Sequence, residues 1–233
     1  MQVKHGDHEI EFTRIIKPNL KRIYISINSA NEVIVKTPKM SESDVIKLVR
    51  MKASWILKKQ AIVKESLDDF EFKSGSSLWY MGQRHSLRLE EDQAAGVGKA
   101  WLRFDNSEFI LRYNPYLIKE EYMQKALDEF YCEKAKECMA ALACKWAEIM
   151  GLSYSKITFK KVRRRWGSCS LGGNIMFNYE AIKLPAECCE YLVVHELAHL
   201  VHHNHGRDFW QLVGSYVPDF MDRREKMRRF GLS

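Results

Sequence analysis

His195-Glu196-Leu197-Ala198-His199 sits in an apolar frame, with Val193 and Val194 before it and Leu200 after it. Residues four apart on an α-helix lie one turn above each other on one face. At roughly 100° per residue, His195 and His199 are separated by about 40° around the axis. Val193, Leu197, Leu200 and Val201 fall on the opposite side. The pattern predicts a helix anchored in a core by its aliphatic residues, with two imidazoles facing a cleft.

Two imidazoles so placed can hold one metal ion, and the glutamate between them reaches a water on that ion. Glu196 reads as a general base rather than a ligand, because one metal position must stay open for chemistry. The third ligand should come from the histidines that follow: His202, His203 or His205. His202 would share the face if the helix continued, but it lies roughly 10 Å along the axis from His195. Zinc–nitrogen bonds are only about 2.0–2.1 Å long. The helix is therefore expected to break, with Asn204 left-handed and Gly206 as a second flexible point. His205 is the first candidate, at the spacing of the longer H-E-x-x-H-x-x-G-x-x-H pattern, with His202 in the usual glycine place. His202 is the second candidate, and a carboxylate from Asp219 or Asp222 the third. A histidine tract that binds metal adventitiously would explain neither the apolar frame nor the glutamate.

The chain has 233 residues, 46% of them hydrophobic, enough for one large domain or two small ones. No apolar run reaches the ~18 residues of a membrane span. The N-terminal Met1-Gln2-Val3-Lys4-His5-Gly6-Asp7 lacks a signal core, so a cytoplasmic protein is expected. The six cysteines (Cys132, Cys138, Cys144, Cys169, Cys188, Cys189) form no C-x-x-C pair. A zinc ribbon, a thioredoxin-type site and a disulfide framework are all disfavoured. Cys132, Cys138 and Cys144 read as packed thiols. The net charge of +7 concentrates in Lys160 to Arg165 and in Arg223, Arg224, Lys226, Arg228 and Arg229. The first cluster precedes the site segment and reads as a wall for an anionic partner; the second reads as a solvated face.

Residues 1–114 read as a strand-rich region with one helix near 41–67, and residues 115–233 as the catalytic region. Arg22 to Asn28 and Glu32 to Thr37 alternate as strands around a Ser29-Ala30-Asn31 turn. Ser41 or Ser43 caps the helix, with Val45, Leu48, Val49, Ala53, Ile56 and Leu57 on its core face and Trp55 counted among them. Strands are expected at Ser77 to Tyr80, His85 to Glu90, Ala100 to Phe104 and Phe109 to Tyr113. A helical region runs from Pro115 to Met150, ended by Gly151. Strands near Lys156 to Val162 and Asn174 to Asn178 precede the metal-site helix, which starts near Pro185. A short helix begins at Asp208-Phe209-Trp210, and another at Asp219. No internal repeat is visible.

Arg165-Trp166-Gly167-Ser168-Cys169, Asn178, Pro185, the H-E-x-x-H stretch, Asn204-His205 and Phe209-Trp210 together resemble the YgjP-like metallopeptidase family. The likeness is densest from Lys160 to Trp210; Tyr80-Met81-Gly82 shares it more loosely. Arg207 stands where smaller residues are common in that family. The resemblance implies an α+β chain whose zincin-like half packs the H-E-x-x-H helix on a small sheet. It implies metal ligation by His195, His199 and His205, with Glu196 as base. The expected function is a metal-dependent hydrolase, foremost a zinc peptidase, with one ion per chain.

Arg165 to Cys169 reads either as a structural turn or as a segment bringing Arg165 or Ser168 to the developing negative charge. Cys169 as nucleophile is disfavoured. The alternative is a nucleotide pyrophosphatase, with Arg163, Arg164 and Arg165 on a phosphorylated substrate. A nucleic-acid-associated, SprT-like protease is a further alternative, weakened by the missing C-x-x-C ribbon.

Overall fold

The computed structural model describes residues 1–6, 8–27, 31–66, 70–96 and 98–230. The chain separates into two compact units, Met1–Phe70 and Glu71–Ser233.

The first unit holds a four-stranded sheet of β1 (Gln2–His5), β2 (His8–Ile16), β3 (Tyr24–Ile27) and β4 (Val33–Thr37). Its order is β1-β2-β4-β3, with β2 and β4 parallel and the outer pairs antiparallel. The first two strands escaped the sequence reading, although they alternate: Val3, Ile10 and Phe12 are buried while Lys4, Glu9 and Glu11 are exposed. Of the expected hairpin turn, Ser29 and Ala30 lie outside the described residues, and Asn31 has φ 62°.

The single helix expected at 41–67 is two: α1 (Glu42–Met51) and α2 (Ala53–Ser66). The expected terminus at Leu67 lies outside the described residues. Ser41 caps α1, accepting from the Asp44 N–H at 3.2 Å. Val45, Val49, Ala53 and Ile56 enter one core with Val33 and Val35. Their helical spacing continues across the join at Lys52, so periodicity alone hides the break. Trp55 is not part of that core; it is 43% exposed.

The second unit opens with β5 (Ser77–Tyr80), β6 (Gln83–Glu91), β7 (Ala100–Phe104) and β8 (Phe109–Tyr113). Their order, β5-β6-β8-β7 with β6 and β8 parallel, repeats the topology of the first sheet. The repeat lies in strand connection and not in residue identity, which is why the sequence reading found none. A long helix, α3 (Glu120–Met150), follows and ends at Gly151 in the left-handed region, φ 64°. It begins at Glu120 and not at Pro115.

Helix α3 covers this sheet: Phe130 packs edge-on against Phe109 at 5.4 Å, and the Tyr131 hydroxyl donates to the Trp79 carbonyl at 2.8 Å. Asn114 is itself buried, its Nδ2 donating to the Gln93 and Ala95 carbonyls. The junction expected at residues 114 and 115 therefore lies inside the second unit.

A three-stranded sheet follows, built from β9 (Lys156–Lys160), β10 (Gly167–Cys169) and β11 (Asn174–Asn178) in the order β10-β11-β9. Strand β9 is parallel to β11, and β10 is an antiparallel edge. A 3-10 turn at Tyr179–Lys183 leads to α4 (Ala186–Ala198), α5 (Arg207–Tyr216) and α6 (Phe220–Arg228). Val193, Val194 and Leu197 of α4 share a core with Ile175 and Phe177 of β11, Met139 of α3 and Phe209 of α5.

The β5–β6 turn helps place α4. Met81 and Gly82 donate backbone N–H groups to the Ile182 and Lys183 carbonyls at 2.9 and 3.0 Å. Gly82 has φ 82°, and a Cβ there would sit 2.8 Å from Pro185 Cγ. Tyr80-Met81-Gly82 is thus the seat for the start of α4. No helix among the described residues is long and apolar enough to cross a membrane.

Phe109 is fully buried among Tyr80, Phe104 and Phe130. Phe109→Ala is expected to destabilise the second unit by about 3–5 kcal/mol, measured as a lower urea midpoint at unchanged slope.

Candidate metal centre

Helix α4 is buried on nearly every side, which its run of apolar residues requires. His195 lies within it and His199 is its C-cap residue. The helix ends earlier than expected, and it ends by tightening. Leu200 and Val201 donate three residues back, to Leu197 and Ala198, and His202 donates to Ala198 at 3.0 Å. Val201 is consequently exposed, not core. Asn204 is not left-handed: it is absent from the positive-φ residues, and Gly206 is extended at φ −78°.

The chain then folds back. One ligand atom from each of His195, His199 and His205 lies within 4.8 Å of the others. His195 Nε2 and His205 Nε2 are 3.1 Å apart. Two nitrogens at about 2.0–2.1 Å from one tetrahedral ion would be roughly 3.3–3.4 Å apart, so this pair already has a ligating separation. His202 contributes its backbone instead: its carbonyl lies 3.0 Å from His199 Nδ1, which directs His199 Nε2 elsewhere. Asp219 is engaged by Arg223 at 2.9 Å, and neither Asp219 nor Asp222 joins the cluster.

Phe209 and Trp210 hold the third imidazole. Phe209 is fully buried and its ring centroid lies 4.6–5.0 Å from those of all three histidines. Trp210 stacks on His205 at 5.5 Å and donates its indole N–H to the His205 carbonyl at 3.1 Å. Tyr191, one turn before His195, places its hydroxyl 3.3 Å from His195 Nδ1. The sequence reading missed Tyr191, although its position four residues back on the same stripe was the available signal.

Glu196 is 4% exposed, and its Oε2 has no hydrogen-bond partner. Edge strand β10 crosses directly over it. A Cβ on Gly167 would overlap Glu196 Oε1 and come within 2.8 Å of its Cδ and Cγ. Gly167 is therefore needed for room beside the carboxylate, which neither the turn nor the charge reading anticipated. Asn178 secures the preceding segment, donating to the Val162 and Arg165 carbonyls at 2.8 and 3.3 Å.

Burial drives the electrostatics. It pushes His195 down to about 3, helped by His199, His205 and Arg224. Burial also lowers His199 and His205. Neutral imidazoles are the form that binds metal. Burial pushes Glu196 up to about 8, partly offset by Arg165. A cation beside it would act in the opposite direction. Burial and Glu196 raise the Cys169 thiol, the reverse of an activated nucleophile.

A cleft of about 390 Å³ opens here, lined by Trp166, Gly167, Tyr191, Leu192, His195, Glu196, Arg224, Met227 and Arg228. Its cationic lining comes from the C-terminal cluster that the sequence reading assigned to a solvated face. Arg163, Arg164 and Arg165 are exposed and outside this lining set; Lys161 is tied to Asp128 at 2.8 Å. Ser168 is half-buried on β10, opposite Met176. All six cysteines are free; Cys144 is exposed and not packed, unlike the half-buried Cys132 and Cys138.

Three convergent imidazoles, a buried carboxylate and a cleft are the parts of a metal-dependent hydrolase. The chain belongs to the YgjP-like family: the family model described as YgjP-like, metallopeptidase domain, matches residues 21–230. Two solved structures resemble part of it. The metallopeptidase zymogen abylysin of Pyrococcus abyssi is 21% identical, covers 41% of this chain and 99% of its own, and has a TM-score of 0.36. The zymogen jannalysin of Methanocaldococcus jannaschii is 18% identical, covers 39% of this chain and 94% of its own, with a TM-score of 0.36. No curated protein matches the chain.

Two outcomes follow from Glu196. Gly167→Ala is expected to cost about 1–3 kcal/mol by overpacking, and less in a Glu196→Ala background; a double-mutant cycle in urea reads that coupling. In metal-free protein, the penalty for burying the ionised carboxylate is absent below about 4.5, the ordinary value, and grows until pH passes about 8. Wild type should therefore lose stability relative to Glu196→Gln across that window, seen as a Tm difference that shifts with pH.

Proposed function

We propose that this chain is a zincin-type peptidase in which His195, His199 and His205 hold one divalent cation and Glu196 is the general base. The observation that supports it best is the meeting of three imidazoles beside a buried carboxylate with one unsatisfied oxygen. An all-imidazole donor set favours zinc among the common divalent ions. The carriers of the site (β10, α4, α5 and α6) all fall within residues 115–233, which form the hydrolase region on this reading.

Once bound, such a cation supplies Lewis-acid polarisation of the scissile carbonyl and a more acidic water. The chain's own residues do the rest. The Tyr191 hydroxyl and the His202 carbonyl hold the Nδ1 atoms of His195 and His199, so that both Nε2 atoms are presented together. Glu196 accepts the proton of the attacking water on a carboxylate oxygen and returns it to the leaving amine. Gly167 lets the strand backbone approach that carboxylate, and Trp166 and Leu192 limit water around it.

Glu196→Gln is expected to retain one metal per chain and to lose about 10²–10⁴-fold in peptide turnover. His205→Ala is expected to lose the metal on dialysis. Elemental analysis and a casein assay check both. Full turnover by Glu196→Gln, or stoichiometric metal in a His199→Ala/His205→Ala double variant, would refute the assignment.

A further inference from the structure

Five cations crowd the last helix and its end, and the structure sorts them. Arg223 bonds Glu190 at 2.8 Å and Asp219 at 2.9 Å, and it also donates to the Glu187 carbonyl. It ties α6 to α4. Lys226 pairs with Glu187 at 3.1 Å, and Arg228 with Glu225 at 2.9 Å. Arg229 follows α6 as its C-cap residue, outside the cleft lining.

Arg224 differs. It lines the cleft with His195 and Glu196, yet it pairs with no carboxylate among the described residues. Its guanidinium lies 5.0 Å from the Trp210 ring centroid. Trp210 is itself held between His205 and Phe220, stacked on Phe220 at 5.3 Å and 11°. A guanidinium placed against a fixed aromatic keeps its edge N–H groups available for a planar anion. The remaining wall includes Trp166, Leu192, Met227 and the Tyr191 ring, with Arg228 as the other cation. The cleft's one carboxylate is Glu196, which the proposed chemistry already uses.

We infer that Arg224 binds a substrate carboxylate, so that the preferred substrates are peptides with an aspartate or glutamate beside the scissile bond. This rests on the peptidase reading above and extends it to specificity. A single unpaired cation, exposed at the edge of a partly apolar cleft, suits a side-chain carboxylate. A polyphosphate would call for several, and Arg228, the cleft's other cation, pairs with Glu225 at 2.9 Å.

The test uses full-length Glu196→Gln protein, which should bind without cleaving, and pairs of labelled peptides differing only in Glu against Gln at one position. By anisotropy, the Glu peptide should bind at least about tenfold tighter, as expected for a charge-assisted pair. That preference should disappear when Arg224→Gln is added, persist in part with Arg224→Lys, survive Arg229→Gln and weaken with salt. Equal binding of the two peptides, or a preference that persists without Arg224, overturns the inference. So does Arg224-dependent binding of ATP that is tighter than that of the acidic peptide. The two readings separate in wild type. Cleavage without acidic preference sinks the Arg224 role alone. A preference in binding with no cleavage of any peptide supports Arg224 and removes the peptidase reading.

Discussion

A carboxylate taken out of water with one oxygen unsatisfied is costly unless something is brought to it. Glu196 is in that position, and the surrounding structure is arranged to keep it there. Strand β10 lies against it through a residue with no side chain. Helix α4 carries it in the same core as Val193, Val194 and Leu197. The cost is tolerable because the part of α4 around it, Leu192 to Val194 with Leu197 and Ala198, is apolar and closely packed, so the helix has nowhere else to go. Strain of this kind at one point, supported by good packing around it, is common where a fold carries chemistry.

The rest of the second unit can be understood as support for that helix. The β5–β6 turn holds its start, α3 and β11 cover its flanks, and Arg223 ties α6 to it through Glu190 and Glu187. Beyond its last turn the backbone tightens and returns, so that His205 meets residues ten and six positions earlier in the chain. The aromatic pair Phe209 and Trp210 then closes the return. The site is a joint product of a rigid helix and a short irregular segment clamped by rings.

Much of this was legible in the residues. The strands at Ser77–Tyr80, Ala100–Phe104, Phe109–Tyr113 and Asn174–Asn178 and the end of α3 at Gly151 follow from alternation and turn chemistry. The convergence of His205 rather than His202 follows from the length of a helix against the reach of one ion. What failed depended on tertiary placement. The kink at Lys52 preserves the apolar period, so no periodic argument could find it. Trp55 sits near the core stripe in sequence but is exposed in space. Among the basic residues, Lys160 to Arg165 carried more weight because they directly precede the Arg165 to Cys169 segment, whereas the arginine that lines the cleft beside Glu196, Arg224, comes from α6. Gly167 looked like a turn residue because its reason, a carboxylate packed directly against it, belongs to another element.

The three imidazoles do not rest on equal foundations. One lies within a helix packed on nearly every side, and a second caps its end. The third lies on an exposed stretch from Val201 to Gly206, retained by an indole hydrogen bond and ring contacts. On the ligation proposed here, a departing ion would leave by way of that stretch first. Its residence time would then follow the local opening of six residues rather than the stability of the fold, and loss of the Trp210 indole hydrogen bond would shorten the ion's stay.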